Sequence, residues 1–459
     1  MDDFATIQQS PPEAATSPPE AQSTGVFPVV APHRSSSQSW KAALALLLAG
    51  GTLTSCGRLV GGGKTPVYSG PFGRHEATHL LRRAAARGNA SEADELATKG
   101  LKGAVESLLE TPDLPTEEDP GYFGKEFTRY THEWVNHWLN TSTPLAERLT
   151  LFWHGHFVTE ASKTNFWNTY HKINKLRELS LSTFKDLLYM IAADPAMLIY
   201  LDNTLSTKKH PNENWARELM ELFTLGEGHY TEEDIQEIAR AFTGWRVTID
   251  AGRQYHYFDF SARDHDPDPK TVLGHRVHRR YNPIFEGYDV LNILLGMRQT
   301  YLYIGEKLLR FFFHPEPGRE MIEKGADVLK GGTVRDFLYW LFTHPDFYSD
   351  KVRNALVKSP IEYAVGMLYA AGRREVVDKL FFRIRDLDQD PYNPPDVSGW
   401  PLASMEWLSD TMLINRLKFI GIVTNDSSSG TPQAPVDYSV FMDGGVDPLS
   451  LIAPEAQLL

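Results

Sequence analysis

Apolar residues recur at helical spacing along most of this chain, and residues 211–245 give the clearest example. Residues three and four positions apart lie on one face of an α-helix, so this spacing predicts amphipathic helices. Asn212 and Thr231 stand where the N-caps of two such helices belong, and glycines lie between them. The stretch therefore predicts two helices packed across a short turn, which we call the helical hairpin.

The first helix of the hairpin carries a compact polar face. Its members are Asn214, Arg217, Glu218 and Glu221. Arg217 lies four residues from an acid on either side, which favours a solvated, ion-paired surface. Alternatively, Glu218 and Glu221 project together into a site, as carboxylates three residues apart do in helix-bundle metal centres.

Several other segments have helical spacing, namely residues 288–314, 319–329, 333–342, 359–371 and 405–423. Residues 254–260 instead alternate aromatic and polar side chains, which is typical of a strand, and residues 271–278 are expected to pair with them. These patterns predict an all-α fold class: a mainly α-helical, many-helix globular domain with one small β-hairpin near residues 254–278.

Composition divides the chain into five parts. Residues 1–40 are rich in Pro, Ser, Ala and Gln and are expected to be a disordered N-terminal extension. Residues 41–56 read as a lipoprotein-type signal segment, and residues 57–70 as a flexible tether. Residues 71–424 are expected to form a single large helical domain, and residues 425–459 a poorly ordered tail.

The signal segment ends at Cys56, the single cysteine of the chain. The apolar run at residues 42–53 is too short to span a bilayer but suits the core of a signal peptide. The four residues ending at Cys56 resemble the lipobox of bacterial lipoproteins, whose cysteine is cut and lipidated. This interpretation places the protein in the cell envelope, lipid-anchored to a bacterial membrane on its periplasmic or surface side. The alternative is a free thiol.

Charge and motif content exclude several classes of function. The formal net charge of −13 argues against a phosphate-binding surface, so no nucleic-acid partner is expected. A single cysteine excludes an intramolecular disulfide and a Cys-based metal cluster. The chain contains no nucleophile elbow, dinucleotide fingerprint or phosphate loop.

Two histidines interrupt the apolar segment at residues 145–157. On a helix, His156 shares the apolar face and His154 lies roughly opposite it. Both contact one metal ion only if the helix breaks at Gly155 and the chain becomes extended. One interpretation is a metal or catalytic site, and the other is a core-facing His156 with an exposed His154.

Acidic residues occupy every second position at Asp264, Asp266 and Asp268. This spacing resembles the ligands of calcium loops, but Pro269 replaces the glycine on which such loops turn. The alternatives are an oxygen-rich metal site and a proline-stiffened polar turn whose charge Lys270 offsets. Trp400, in the rigid loop at residues 393–401, either packs near a pocket or is a surface staple, and the second interpretation is favoured.

His75, Glu76 and His79 form a literal H-E-x-x-H motif. In zinc peptidases the two histidines hold Zn²⁺ and the glutamate activates a water molecule. The helix is expected to begin directly after Gly73, which places His75 in an exposed first turn. A third ligand must then come from the acids of the next helix.

The helical hairpin, PNENWARELMELFTLGEGHYTEEDIQEIARAFTGW, resembles the signature of a large bacterial family known as domain of unknown function 1800. Further family-like segments are HLLRRA from His79, ERLTLFWHGHF from Glu147, DHDPDPKTVLG from Asp264, LLRFFFHPEP from Leu308, FLYWLFTHPDF from Phe337, VKSPIEYAV from Val357 and PPDVSGWP from Pro394. The resemblance runs from about residue 70 to 425. It implies a mostly helical secreted or surface protein, often encoded beside a sulfatase-like companion, and no established reaction. His75 is not part of the family pattern.

Three functional hypotheses follow. The first is an enzyme with a metal or acid–base site built from His and carboxylates in core-forming segments. Its catalytic residues are His154, His156, Glu218 and Glu221. A divalent metal would take as ligands His156, Glu218, Asp264 and Asp266.

The second hypothesis is a non-catalytic surface scaffold or binding protein that acts with a sulfatase-like partner. The third is a zincin-type zinc peptidase that uses His75, Glu76 and His79. Measuring the metal content of the purified protein separates the three hypotheses, because only the first and the third include a metal ion bound by the named histidines.

Overall fold

A computed structural model describes residues 66–115, 127–249, 256–278, 282–372, 387, 389–402 and 404–425. They form a mainly α-helical protein with two short antiparallel strand pairs, which confirms the predicted fold class. The predictions for residues 1–40 and 41–56, for most of the tether and for the tail after residue 425 lie outside the described residues. No helix within the described ranges combines the length and the apolar character that crossing a membrane requires.

The helices are numbered in chain order. They are α1 Arg74–Ala85, α2 Ala90–Leu108, α3 Phe127–Asn140, α4 Pro144–His156, α5 Ala161–Thr164, α6 Phe166–Glu178, α7 Phe184–Ala192, α8 Pro195–Tyr200, α9 Glu213–Glu221, α10 Glu232–Ala241, α11 Ile284–Gly296, α12 Arg298–Phe312, α13 Arg319–Gly331, α14 Val334–Thr343, α15 Asp350–Arg353, α16 Pro360–Ala370 and α17 Asp410–Asn425. Short 3₁₀ helices lie at Asn203–Leu205, Pro345–Tyr348 and Ser404–Trp407.

The helical hairpin forms as its pattern predicts, with α9 packed against α10. The Asn212 side chain accepts hydrogen bonds at the start of α9, and Thr231 forms a capping box with Asp234 at the start of α10. Trp215 on α9 and Phe242 after α10 are fully buried. Arg217 differs from the expectation, because it pairs across the hairpin with Glu232 at 2.9 Å and not with acids of its own helix.

The strand pairing predicted from the sequence is wrong. Strand β2 (His256–Phe260) pairs with β1 (Trp245–Ile249), which directly follows α10, and not with residues 271–278. Strands β3 (Thr271–Val272) and β4 (His275–Arg276) pair with each other. Leu273 and Gly274 form their turn with φ of 50° and 77°, a conformation that matches a two-residue hairpin. Each strand thus pairs with its nearest neighbour in the chain.

A cluster of buried hydrophobic residues lies where α3, α4, α6, α16 and α17 meet. Trp134, Trp138 and Trp167 lie within it, beside a buried ion pair in which Arg177 donates to Glu147 at 2.6 and 2.9 Å. The Trp134 indole also donates to Glu147, at 2.8 Å. The carboxylate is therefore fully compensated, which is the condition for burying a charge in an apolar core. This cluster fixes the position of α4, which carries both histidines of the apolar segment.

Candidate functional site

A cavity of about 50 Å³ lies between α4, α12, the start of α16 and the loop at residues 389–402. This volume holds a few water molecules or one small chemical group. Its polar wall comes from all of these elements. The charged and aromatic side chains that line it include Arg148, His156, Lys307, Arg310, Glu362 and Trp400.

Helix α4 presents Arg148, Phe152, Gly155 and His156 to the cavity. They lie at positions i, i+4, i+7 and i+8, which share one face of a helix. The helix does not break at Gly155, and it ends only at His156. The extended geometry that would bring both histidines to one metal ion is therefore absent from the described segment.

The loop at residues 389–402 closes the cavity by packing tightly on α4. A Cβ atom at Gly155 would lie 3.2 Å from the Trp400 ring. Gly399 has φ of +86°, and a Cβ there would lie 2.1 Å from the Gly155 carbonyl oxygen. Glycine is therefore required at position 399, whereas a Cβ at position 155 would need the Trp400 ring to shift by a few tenths of an ångström. Trp400 lines the cavity, so of its two interpretations packing near a pocket is correct and the favoured surface staple is wrong.

His156 forms a hydrogen-bonded pair with Lys307 of α12 at the cavity wall. His156 Nε2 lies 3.2 Å from the Phe223 carbonyl oxygen, which can only accept, so Nε2 carries the ring hydrogen. Nδ1 is then an acceptor, and Lys307 Nζ donates to it at 3.1 Å. Burial, and then the neighbouring Lys307, hold the pKa of His156 well below its usual value. His156 is thus a neutral ring that orients the lysine.

Lys307 has an environment that destabilises its charge. Burial lowers the pKa of its ammonium group to about 8. Its other polar contact is the Tyr303 hydroxyl at 3.4 Å, and no carboxylate among the described residues lies within 4.0 Å of Nζ. An amine with this pKa exchanges its proton readily near neutral pH, which is the property of a general acid or base.

Arg148 and Glu362 form the second charged pair of the cavity. Arg148 Nε donates to Glu362 Oε1 at 2.5 Å, and the Ser359 backbone N–H donates to Oε2 at 2.8 Å. Although burial acts against ionisation, Arg148 and the Ser359 hydrogen bonds hold the pKa of Glu362 below its usual value. Arg148 also stacks over the Phe311 ring at 4.6 Å, and its side chain is only 6% exposed.

Glu218 and Glu221 lie beside this site but do not line the cavity. Burial and the neighbouring Glu221 raise the pKa of Glu218. Glu221 accepts a hydrogen bond from the Tyr230 hydroxyl. Glu221 also contributes, after burial, to raising the pKa of Tyr303 to about 12. Glu221 therefore acts on the tyrosine that contacts Lys307, and neither carboxylate lines the cavity itself.

His154 is fully buried, in contrast to the expected exposed position, because the loop at residues 389–402 covers it. Its Nε2 donates to the Pro391 carbonyl oxygen at 2.9 Å, and its ring lies edge-on to Trp400 at 5.4 Å. Burial holds its pKa well below the usual value. His154 therefore does not contact the His156–Lys307 pair, and its hydrogen bond stabilises the loop at residues 389–402 instead.

The acidic loop is held by cations. Asp266 accepts from Arg240 at 2.8 and 3.3 Å. Asp264 accepts from the Ser261 hydroxyl at 2.6 Å. The Lys270 ammonium is buried and donates to Glu286 at 2.7 Å. These contacts agree with the polar-turn interpretation, and the structure does not join Asp264 and Asp266 to His156 and Glu218.

The H-E-x-x-H residues point to different partners. His75 is exposed, whereas His79 is buried and its Nε2 donates to the Phe347 carbonyl oxygen at 2.8 Å. Glu76 accepts from the Gly73 backbone N–H at 3.0 Å and from Arg353 at 3.1 Å. Glu76 thus caps the start of α1, and His79 binds a backbone carbonyl elsewhere in the fold. This geometry does not support a zincin centre.

Within the described ranges, no three or more His, Cys, Asp or Glu side chains are arranged to hold a metal ion. The residues that the sequence patterns missed are Lys307, Arg148 and Glu362. Arg148 had a detectable signal, since it precedes Phe152 and His156 on one helical face. Lys307 had none, because it lies 151 residues from His156 in an aromatic-rich amphipathic helix.

Fold and site together define a mainly α-helical protein with a lysine–histidine pair at a small cationic cavity. Residues 79–450 match the family described as "Protein of unknown function (DUF1800)", and the chain belongs to this family. This confirms the resemblance seen in the sequence.

One curated relative is the ribosome maturation factor RimM of Geobacillus kaustophilus (strain HTA426), which is 30% identical over 86 residues. The match covers 17% of this chain and 48% of RimM, so the chain spans about half of that relative's length. No solved structure matches the chain significantly. A match of this extent carries no conclusion about function.

Proposed function

We propose that this protein is an enzyme whose acid–base residue is Lys307, positioned by His156. The observation that carries the proposal is the 3.1 Å contact between Lys307 Nζ and His156 Nδ1 at the wall of the cavity. A pKa of about 8 leaves Lys307 mostly protonated at pH 7 but able to lose its proton at modest cost. Such a group donates a proton to a leaving or developing negative atom and then recovers it.

The neighbouring groups support this role. The neutral His156 ring accepts a hydrogen bond from the ammonium without adding charge, so it fixes the direction of Nζ, while burial keeps the lysine pKa low. The aromatic wall limits access of water, which strengthens electrostatic interactions inside the cavity. In this proposal His156 is a positioning residue, and His154, Glu218 and Glu221 act at a distance from the reacting atoms.

The test compares reaction products and works for a substrate that has not been identified. The purified full chain and its Lys307→Met variant are incubated with bacterial cell-envelope extract, and the products are compared by mass spectrometry. Lys324→Met is the matched control, because Lys324 is exposed and its substitution removes the same charge. We expect products that appear with the native chain and the control and fall at least 100-fold with Lys307→Met. Products that are equal in all three samples overturn the proposal.

The metal-dependent form of the hypothesis remains a proposal for the same protein, with His156 as one of its four expected ligands, and a metal ion there would have to displace Lys307 from His156 Nδ1. Elemental analysis of the native chain and of His156→Ala tests it. A stoichiometric divalent metal that disappears in the variant supports it. If no metal is bound and no Lys307-dependent product forms, a non-catalytic scaffold that acts with a sulfatase-like partner becomes the better explanation.

A further inference from the structure

Positive charge exceeds negative charge at the cavity wall. Arg148, Lys307 and Arg310 line it, against the single carboxylate of Glu362. Arg310 has a carboxylate of its own, since its Nε lies 3.1 Å from Glu306. Glu362 is bound by the Nε side of Arg148. Lys307 and the other side of the Arg148 guanidinium therefore lack a compensating anion among the described residues.

The layer behind the cavity adds to this excess. Arg83, Lys358 and Arg416 also interact electrostatically with Glu362, whose negative charge raises the pKa of each of them. Arg83 is 4% exposed and Arg416 is 1% exposed. Lys358 Nζ donates to a backbone carbonyl at 2.7 Å, and its pKa falls to about 7 through burial. One carboxylate thus serves four cations, counting Arg148.

Several guanidinium nitrogens of this cluster have no hydrogen-bond partner among the described residues. They are Arg83 Nη1, Arg148 Nη1, Arg416 Nε and Arg416 Nη1. An unsatisfied buried donor costs about 1–3 kcal/mol, and more when it is charged. All three arginines are buried, but Arg148 is the one whose side chain lines the cavity. A group bound in the cavity is therefore the natural partner of its free nitrogen.

We propose that the cavity binds an oxyanion group of the substrate, with Arg148 Nη1 as hydrogen-bond donor and Lys307 as the second positive charge. This inference deepens the proposed function and rests on it, because the same lysine would transfer the proton next to the bound group. Guanidinium and ammonium groups are the usual partners of carboxylate, sulfate and phosphate oxygens. A volume of about 50 Å³ admits one such group, so the rest of the substrate extends outside.

The experiment measures anion binding directly. Sodium sulfate, phosphate and acetate are titrated into the full chain by isothermal titration calorimetry at pH 7, with chloride holding the ionic strength constant. We expect saturable binding of at least one of them, and the strongest identifies the group. Arg148→Lys keeps the charge that balances Glu362 but removes Nη1, so its affinity falls at least tenfold. Lys307→Met weakens binding at least threefold, and Lys324→Met stays within twofold of the native chain.

The outcomes separate this inference from the proposed function. Absence of saturable binding by all three anions overturns the oxyanion site. The site is also overturned if Arg148→Lys and Lys307→Met both bind the anion with the affinity of the native chain. If Arg148→Lys does not fold, judged by circular dichroism, Lys307→Met decides. Anion binding without Lys307-dependent products overturns the catalytic role and supports the binding site. Lys307-dependent products without anion binding do the reverse.

Discussion

Buried cations are the distinctive feature of this protein at the scale of single residues. Some buried carboxylates among the described residues are paired with a cation, as Glu147 is with Arg177 and Asp194 is with Lys175. Lys307 differs, because its contacts are a neutral imidazole and a tyrosine hydroxyl. Burial of an uncompensated ammonium costs stability, and sites that tolerate such a cost are often functional.

Lys307→Met should therefore stabilise the protein at pH 7 while it abolishes function. Folding lowers the lysine pKa from 10.5 to about 8, so below pH 8 the folded state carries a charge whose burial costs free energy. Methionine of similar length removes that cost, and we expect a gain of about 1–3 kcal/mol.

The sign of the pH dependence follows from proton uptake. Between pH 8 and 10.5 the unfolded chain binds the proton that the folded lysine has lost, so native stability rises with pH. The advantage of Lys307→Met should shrink over this range. Urea unfolding of both chains at pH 7 and pH 9.5 measures it, and a variant that is less stable than the native chain at pH 7 contradicts the prediction.

Glu362→Gln should be strongly destabilising. It removes the single carboxylate that serves Arg148, Arg83 and the neighbouring cations, and leaves those charges buried without an anion. Breaking a buried ion pair from one side costs about 3–5 kcal/mol. The matched control is Glu323→Gln, whose carboxylate forms an exposed pair with Arg319 and should change stability by less than about 0.5 kcal/mol. Equal unfolding midpoints for the two variants would disprove the role assigned to Glu362.

At the scale of secondary-structure elements, the site depends on a loop as much as on helices. Helix α4 supplies the charged face, but the loop at residues 389–402 closes the cavity and buries His154. The loop can approach α4 this closely because glycines stand at both contact points. Loops that complete a site on a rigid helix are a common arrangement for binding and catalysis.

Gly399→Ala should lift this loop from α4. The residue has φ of +86°, and the added methyl carbon would lie 2.1 Å from the Gly155 carbonyl oxygen. The strain amounts to about 1–3 kcal/mol, so the loop relieves it by moving. Hydrogen exchange at residues 389–402 should accelerate, with α9 and α10 unaffected. Gly318→Ala is the control, because its Cβ position is open and its φ is ordinary. Unchanged exchange in Gly399→Ala would refute the assigned packing.

At the scale of the whole molecule, a cationic cavity lies in an acidic protein. The formal net charge is −13, yet Arg148, Lys307 and Arg310 face the cavity against Glu362. An anionic ligand is therefore attracted by local contacts and not by the overall field of the protein. Binding should depend on salt less steeply than binding to an extended basic surface does.

Attachment to a membrane through Cys56 is the prediction that concerns the whole chain. The lipobox-like residues before Cys56 lie outside the described part of the structure, so the prediction rests on sequence. Cys56→Ala should move the protein from the membrane fraction to the soluble fraction of expressing bacteria, because the acyl chains supply the membrane affinity. Incorporation of an alkyne-labelled fatty acid into the native chain but not the variant confirms it. Membrane association that persists in Cys56→Ala contradicts the lipid anchor.

Local patterns predicted most of the helices, several of their caps and the family, because these depend on residues within a few positions of one another. The segment at residues 288–314 differs, because it forms two helices, α11 and α12, separated at Met297. The helical hairpin, the capping box at Thr231 and the unbroken apolar face leading to His156 follow from local spacing. Strand pairing was the local exception, since alternation gives a strand but not its partner.

Only the tertiary structure decided the composition of the site. Lys307 lies 151 residues from His156, and Glu362 lies 214 residues from Arg148. In the sequence, an ammonium in an amphipathic helix looks like any solvated lysine, and its shifted pKa arises from what packs around it. The carboxylates that looked most reactive, Glu218 and Glu221, do not line the cavity, and of the two only Glu221 acts on Tyr303 beside Lys307. Spacing along a helix decides which residues share a face, but packing decides which faces meet.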